Sequence, residues 1–116
     1  SDTEHMRIML GGNVGIGTAA PAATLHVLGA ISGSSTATFG GNVLPAVDNS
    51  TDLGSASYQW RNIYTADFHL NNTRKEEGND VDGTKGDWTI QEGREDLYLL
   101  NNETGKKYKF NLTEIE

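Results

Sequence analysis

Apolar and polar residues alternate in the C-terminal part of the sequence, in three short runs separated by polar connections. The runs span residues 88–92, 97–101 and 107–112. Alternation with a period of two is typical of a β-strand that has one buried and one exposed face. The two connections contain Gly, Asn and Asp, which tolerate the backbone angles of hairpin turns. The pattern therefore predicts a three-stranded antiparallel meander within a C-terminal module of residues 88–116.

The middle run differs from its neighbours because it carries apolar side chains in both phases. Leu97 and Leu99 point to one face, whereas Tyr98 and Leu100 point to the other. Apolar groups on both faces require cover on both faces, and the meander is too short to fold over itself. We expect the second cover to come from the N-terminal half of the chain or from another copy of the chain.

We interpret residues 7–70 as a glycine-rich, repeat-like segment that is built from short strands. Residues 11–18 carry single apolar residues between glycines, which favours very short strands at places where chains approach closely. The sequence Gly-Gly-Asn-Val at residues 11–14 recurs at residues 40–43. Such repeat units do not bury their apolar residues alone and need stacked neighbours. For residues 29–41 we favour short strands in an assembly over a flexible linker.

Two alternative sites in this segment are disfavoured by their surroundings. The glycines of residues 12–17 share only their composition with a dinucleotide-binding loop, because such a loop follows a buried strand and opens a helix. Here Pro21 and the strand-like residues Leu25 and Val27 follow instead. His26 alternates with these apolar residues and has no second ligand at a recognisable spacing. We therefore expect His26 on the exposed face of a strand rather than at a metal.

Trp60 is the largest apolar side chain of the N-terminal half, and two roles are open to it. Residues 55–57 favour a single helical turn that brings Trp60, Ile63 and Tyr64 together at i, i+3 and i+4. These apolar neighbours favour a core role for Trp60, and a sugar-stacking platform is the alternative. From residue 64 to residue 70 the period changes to two, which predicts a strand.

Residues 71–87 are polar throughout, and we interpret them as an exposed loop. Its acidic residues outnumber its cations, so a receptor met by this loop is expected to be a neutral sugar rather than an anionic one. The alternative is a solvated connection to the meander. Asp80, Asp82 and Gly83 match only part of a calcium loop, which leaves open whether Asp80, Asp82 or Asp87 hold an ion. The cations of the loop are Arg74, Lys75 and Lys85.

The composition predicts a chain with a thin core of its own. Leu, Ile, Val and Phe account for 24 of the 116 residues, and 14 residues are glycine, whose ordering is entropically costly. There is no cysteine to form a disulfide, and small chains of this kind commonly need oligomerisation. The net charge of −7 argues against nucleic acid and anionic membrane surfaces as partners. No apolar run is long enough to span a membrane, and residues 1–6 look like a cloning remnant.

Three stretches of the sequence resemble segments of phage tail fibres and tail spikes. Residues 13–27 resemble the NVGIGT-x-x-P-x-x-x-LHV repeat of tail fibres. Residues 52–64 resemble the DLGS-x-S-x-x-W-x-NIY segment of tail fibres and tail spikes. Residues 86–110, from GDWTIQEG to KKYKF, are similar to a C-terminal module of phage structural proteins. The order of these stretches along one chain adds to the resemblance.

The resemblance implies an all-β, intertwined homotrimeric fibre-like structure, which ends in the three-stranded antiparallel meander. It implies a structural virion component of a phage tail that contributes to host attachment. Its partners would be its own copies in the homotrimer, other tail proteins and a host cell-surface glycan. It implies no catalytic residue, and we assign no cofactor-binding or metal-binding residue.

Two other classes of function compete with the structural one. The alternative is a carbohydrate-binding module without enzymatic activity, which uses Tyr58, Trp60 or Trp88. A glycan depolymerase is disfavoured, because glycoside hydrolysis needs two carboxylates at a set separation. Nothing in the sequence selects such a pair among the 16 acidic residues, so we expect no enzymatic activity.

Overall fold

The computed structural model describes residues 5–116, and these residues form two β-sheets and no helix. The predicted all-β class is therefore confirmed. The contacts divide the chain into two units, Ser1–Val43 and Leu44–Glu116, each of which holds one sheet. This division falls within the segment 7–70 of the sequence analysis.

The first unit contains a three-stranded sheet. Its strands are β1 (Met6–Ile8), β2 (Val14–Ile16) and β3 (Leu25–Val27). β1 pairs with β2 in the antiparallel sense, and β2 pairs with β3 in the parallel sense. Met6, which the sequence analysis placed in a cloning remnant, lies opposite Ile16 in this sheet. Residues 1–4 of that remnant lie outside the described residues.

Two glycines allow backbone segments of the first unit to approach closely. A Cβ at Gly15 would collide with the carbonyl oxygen of Thr18, and a Cβ at Gly17 would lie 2.9 Å from the carbonyl oxygen of Leu28. Gly17 also has a φ of +75°, a conformation that favours glycine. The spacing of glycines between single apolar residues therefore reflects close backbone packing around short strands.

Residues 28–67 contain no strand, so the short strands expected for residues 29–41 do not form within one chain. A strand needs a neighbour that satisfies its backbone hydrogen bonds, and the chain supplies none to this segment. The helical turn predicted at residues 55–57 is wrong. Instead, the Ser55 N–H donates to the Tyr58 carbonyl at 3.1 Å and the Tyr58 N–H donates to Ser55 Oγ at 3.1 Å, which closes a tight turn.

The second unit contains a four-stranded sheet. Its strands are β4 (Phe68–Asn71), β5 (Asp87–Glu92), β6 (Leu97–Asn101) and β7 (Lys107–Lys109). Each strand pairs with the next in the antiparallel sense, so the three-stranded meander is confirmed and β4 extends it. β4 begins at Phe68, four residues after the predicted start at Tyr64. β7 ends at Lys109, although the Phe110 N–H still donates to the Leu97 carbonyl at 3.1 Å.

The register of this sheet gathers large apolar side chains on one of its faces. Phe68 lies opposite Ile90, Ile90 lies opposite Leu99, and Leu99 lies opposite Tyr108. Residues two positions apart in a strand share a face, so further apolar residues join this row. We call the whole set the apolar face, and its members are Phe68, Leu70, Trp88, Ile90, Leu97, Leu99 and Tyr108.

No apolar side chain among residues 5–116 is buried. On the apolar face, Phe68 and Leu70 remain 47% and 49% exposed. Trp60 is 61% exposed, so its expected core role is wrong for the single chain. Its predicted neighbours Ile63 and Tyr64 are exposed as well, because the helical turn that was to bring the three side chains together does not form.

Candidate functional site

The polar loop of residues 71–87 joins β4 to β5 and is closed at its base by two hydrogen bonds. The Asn72 N–H donates to the Gly86 carbonyl at 3.2 Å, and the Gly86 N–H donates to Asn72 Oδ1 at 2.8 Å. This pairing continues the antiparallel ladder of β4 and β5 by one step. The loop is therefore anchored to the sheet at both ends.

Asn79 organises the tip of this loop. Its Oδ1 accepts from the N–H groups of Val81 and Asp82 at 2.8 and 3.0 Å. Its Nδ2 donates to Asp82 Oδ1 at 2.7 Å and to the Thr84 carbonyl at 2.9 Å. The buried Gly78 precedes it with a φ of +71°, and a Cβ there would collide with a backbone carbonyl oxygen across the loop. Hydrogen bonds and a glycine thus hold the tip in one conformation.

The Asp82 carboxylate belongs to this network. Its Oδ1 accepts from Asn79 Nδ2, from the Thr84 N–H at 3.1 Å and from the Thr84 hydroxyl at 2.8 Å. These hydrogen bonds, led by the one from Asn79, lower the pKa of Asp82 below its ordinary value of 3.8. Within residues 5–116, no three His, Asp or Glu side chains come together as a metal site. The structure therefore does not gather Asp80, Asp82 and Asp87 around a common point.

A cleft of about 470 Å³ lies where the loop meets the sheet, and we call it the loop cleft. Leu70 and Trp88, which are opposite each other in β4 and β5, supply its apolar part. A Cβ at Gly86 would lie 3.0 Å from the indole Nε1 of Trp88, so the glycine leaves room for the ring. The lining residues are Leu70, Asn71, Asn72, Asn79, Thr84, Lys85, Gly86 and Trp88.

The polar side chains of the loop cleft include several hydrogen-bond donors without a partner. Asn71 Oδ1 accepts from the Thr73 N–H at 2.9 Å and from the Thr73 hydroxyl at 2.7 Å. Asn72 Oδ1 accepts from the Gly86 N–H. The side-chain NH₂ groups of Asn71 and Asn72 have no partner within residues 5–116. The indole N–H of Trp88 and the ammonium group of Lys85 also have none in that part of the chain.

The three cations of the loop lie in different surroundings. Lys85 lines the loop cleft. Arg74 lies outside the cleft and pairs with Asp48, with Nε 3.7 Å from Oδ2, and both side chains are largely exposed. Lys75 lines a neighbouring concave surface together with Arg74 and Asp48, and this surface shares Asn71 and Asn72 with the loop cleft. Of the three cations, Lys85 alone lines the cleft that contains Trp88.

A polar cluster lies on the opposite face of the four-stranded sheet from the apolar face. Thr89 is 3% exposed and is the only buried polar side chain among residues 5–116. Its Oγ1 lies 3.1 Å from His69 Nδ1 and accepts from Asn102 Nδ2 at 2.9 Å. The same amide group donates to Asp87 Oδ1 at 2.9 Å. The sequence analysis missed this cluster, because alternation placed Asp87 and Thr89 in one phase but did not reveal the strand register.

The other residues singled out from the sequence lie outside the loop cleft. Of the three aromatic residues considered for sugar stacking, Trp88 lines the cleft, whereas Tyr58 and Trp60 are exposed elsewhere in the second unit. In the first unit, His26 lies in β3, and its Nδ1 accepts from the Ala22 N–H at 3.1 Å. His26 thus stabilises the turn before its own strand.

Comparisons with protein-family models, with curated proteins and with solved structures found no match. No helix long and apolar enough to cross a membrane occurs among residues 5–116. The arguments for function therefore rest on the residues and the geometry described above.

Proposed function

We propose that this chain is a structural segment of a homotrimeric phage tail fibre and contributes to host attachment. The observation that carries the proposal is that no apolar side chain among residues 5–116 is buried. Hydrophobic burial is the dominant favourable term in folding, so a chain that buries none of its apolar side chains alone needs partners. The resemblance of residues 13–27, 52–64 and 86–110 to tail-fibre segments supports copies of the same chain as those partners.

The apolar face supplies the surface that such contacts would cover. Its seven side chains come from all four strands of the second unit, so the sheet presents them together. Trp88 and Tyr108 lie side by side within it, with ring centroids 5.8 Å apart. Apolar burial contributes about 25 cal/mol per Å² removed from water. In the proposed trimer, these faces meet along the common axis.

Two leucines in β6 allow a matched test of this arrangement. Leu99 belongs to the apolar face, whereas its neighbour Leu100 points to the opposite face and is similarly half-buried. We expect light scattering after gel filtration to give three times the chain mass for the wild type and for Leu100→Glu. Leu99→Glu places a charge in the apolar contact and should dissociate the assembly. A wild-type monomer that stays folded at all concentrations would refute the trimeric fibre.

The runner-up function is a carbohydrate-binding module without enzymatic activity, and the loop cleft is the observation that favours it. The cleft combines an aromatic side chain with several amide groups, as ligand sites with a few placed polar groups do. Glycan binding by a monomeric protein on a glycan array would favour this function over the fibre. Release of reducing sugars from a bound glycan would instead show a glycan depolymerase.

A further inference from the structure

We propose that the loop cleft binds the carboxylate-bearing ring of an acidic sugar. The sugar ring lies against Trp88, and the carboxylate is held by Lys85 and the amide groups of Asn71 and Asn72. This inference rests on the proposed role in host attachment, because it names the chemical class of the glycan that is met. It reverses the preference for neutral sugars that the acidic content of the loop predicted.

The first support is the form of the cleft. Its volume of about 470 Å³ lies in the size range of small-molecule sites. One wall is apolar because Leu70 and Trp88 are paired across β4 and β5. The other wall is held in place by the Asn72–Gly86 pairing at the base of the loop and by the Asn79 network at its tip. The polar groups are thus positioned before a ligand arrives, which lowers the entropic cost of binding.

The second support is the direction of the available hydrogen bonds. The amide oxygens of Asn71 and Asn72 already accept from groups of the loop, whereas their NH₂ groups have no partner within residues 5–116. Both groups of the Asn79 amide are likewise used within the tip. Trp88 and Lys85 have donors only. A carboxylate only accepts hydrogen bonds, so it matches these unpaired donors.

The third support is the local charge. Lys85 is the only charged residue that lines the cleft among the described residues. The carboxylate of Asp82 lies nearby in the chain, but its Oδ1 accepts three hydrogen bonds within the loop. The net charge of the whole chain is −7, yet at physiological ionic strength that charge is screened beyond about 8 Å. Lys85 is thus the charged side chain that a ligand in the cleft meets directly, whereas Asp82 lies behind the lining side chains of Asn79 and Thr84.

Trp88 belongs both to the loop cleft and to the apolar face. It is the second residue of β5, so it lies at the end of the sheet from which the loop departs. The cleft accordingly lies at the border of the apolar face, next to the exposed loop.

The test compares a sialylated trisaccharide, 3′-sialyllactose, with its neutral counterpart lactose by titration calorimetry on the whole chain. We expect the wild type to bind the sialylated sugar at least about tenfold more tightly than lactose. Lys85→Gln keeps the length of the side chain and removes its charge, and it should weaken binding of the acidic sugar about tenfold. Lys109→Gln makes the same charge change in β7, on the opposite face of the sheet and outside the cleft, and it should leave the affinity unchanged.

Several outcomes would overturn the inference. One is that lactose binds as tightly as 3′-sialyllactose, and another is that Lys85→Gln binds the acidic sugar as tightly as the wild type does. A third is that a glutamate-rich peptide binds more tightly than the acidic sugar. The fourth is that the acidic sugar does not bind even at about 10 mM, where binding weaker than a Kd of about 1 mM would still be detected. The native mass is measured on the same samples, so the two proposals fail separately. A trimer without sugar binding refutes only the acidic-sugar site. A monomer that binds the acidic sugar refutes the fibre and leaves the site in place.

Discussion

Thr89 and His69 lie opposite each other in β5 and β4, and the Thr89 hydroxyl oxygen is 3.1 Å from His69 Nδ1. The same oxygen accepts a hydrogen bond from Asn102. A hydroxyl group has one proton to donate, so the arrangement is complete when Thr89 donates that proton to an unprotonated His69 Nδ1. The most buried polar side chain of the described chain thus links β4, β5 and the turn after β6.

Removal of this hydroxyl should destabilise the second unit. Thr89→Val keeps the shape of the side chain, leaves His69 Nδ1 without this partner and leaves the Asn102 amide with Asp87 alone. We expect a loss of about 1 kcal/mol in the free energy of unfolding, measured by urea denaturation. Thr113→Val is the control, because Thr113 is exposed and makes no hydrogen bond within residues 5–116. Equal midpoints for the two variants would show that the cluster adds no stability.

Substitution of two glycines of the loop distinguishes the cost of a strained backbone conformation from the cost of a steric collision of the new Cβ. Gly78 and Gly83 have φ values of +71° and +72°, so alanine is strained at either position. A Cβ at Gly83 meets nothing within 4 Å, whereas a Cβ at Gly78 collides with the Gly83 carbonyl oxygen. We expect Gly83→Ala to cost about 1 kcal/mol. Gly78→Ala should cost clearly more and should speed amide hydrogen exchange at residues 79–84. Equal effects of the two substitutions would contradict the close packing at Gly78.

The tip of the loop should open in acid. Hydrogen bonds from Asn79 and Thr84 lower the pKa of Asp82 in the folded protein below its ordinary value of 3.8. A lowered folded pKa stabilises the ionised tip above the ordinary value, and that contribution is lost as the pH falls through the folded pKa. We expect the Thr84 amide resonance to move along this titration, which NMR would detect.

Substitutions distinguish Asp82 from its acidic neighbour in this titration. Asp82→Asn should abolish the movement of the Thr84 resonance, whereas Asp80→Asn should leave it in place. A Thr84 resonance that titrates unchanged in Asp82→Asn would show that another group controls the tip.

Trp60 provides a test of burial that depends on assembly. Its side chain is 61% exposed in one chain, and in the proposed trimer other copies cover it. We expect Trp60→Ala to weaken assembly and to lower the melting temperature. If the cover is complete, the loss in the free energy of unfolding is about 3 kcal/mol or more. Dilution series of gel filtration and thermal melts would measure both effects. Intact assembly with lost glycan binding would favour the role of Trp60 as a sugar platform.

The sequence predicted those parts of the fold that depend on alternation alone. In β5 and β6 each residue takes its face from its phase, so the meander followed from the pattern of Leu97, Leu99 and their neighbours. The prediction of a helical turn at residues 55–57 was wrong because a helix depends on more than the spacing of apolar residues. The spacing of Trp60, Ile63 and Tyr64 stabilises a helix only where a surface covers the apolar stripe, and the single chain provides no such cover.

The loop cleft depends on contacts that alternation does not encode. Asn72 and Gly86 are brought together by the closure of the loop, which depends on Gly78 in its left-handed conformation and on the hydrogen bonds of Asn79. The acidic content of the loop predicts a neutral sugar, whereas the site that we propose takes an acidic one. The number of charges along the chain does not reveal that Lys85 lines the loop cleft, or that the Asp82 carboxylate accepts hydrogen bonds within the loop.

The edge strand β7 has a consequence for the interval between synthesis and assembly. A sheet with an uncovered apolar face and open edges is prone to add further strands and to aggregate. β7 has only three residues, and two of them are Lys107 and Lys109. A second chain that approached along this edge would meet two positive charges and very little free backbone. Its short length and its lysines thus disfavour the addition of a strand at this edge, so in the proposed fibre the apolar face is the surface left for contact with other copies.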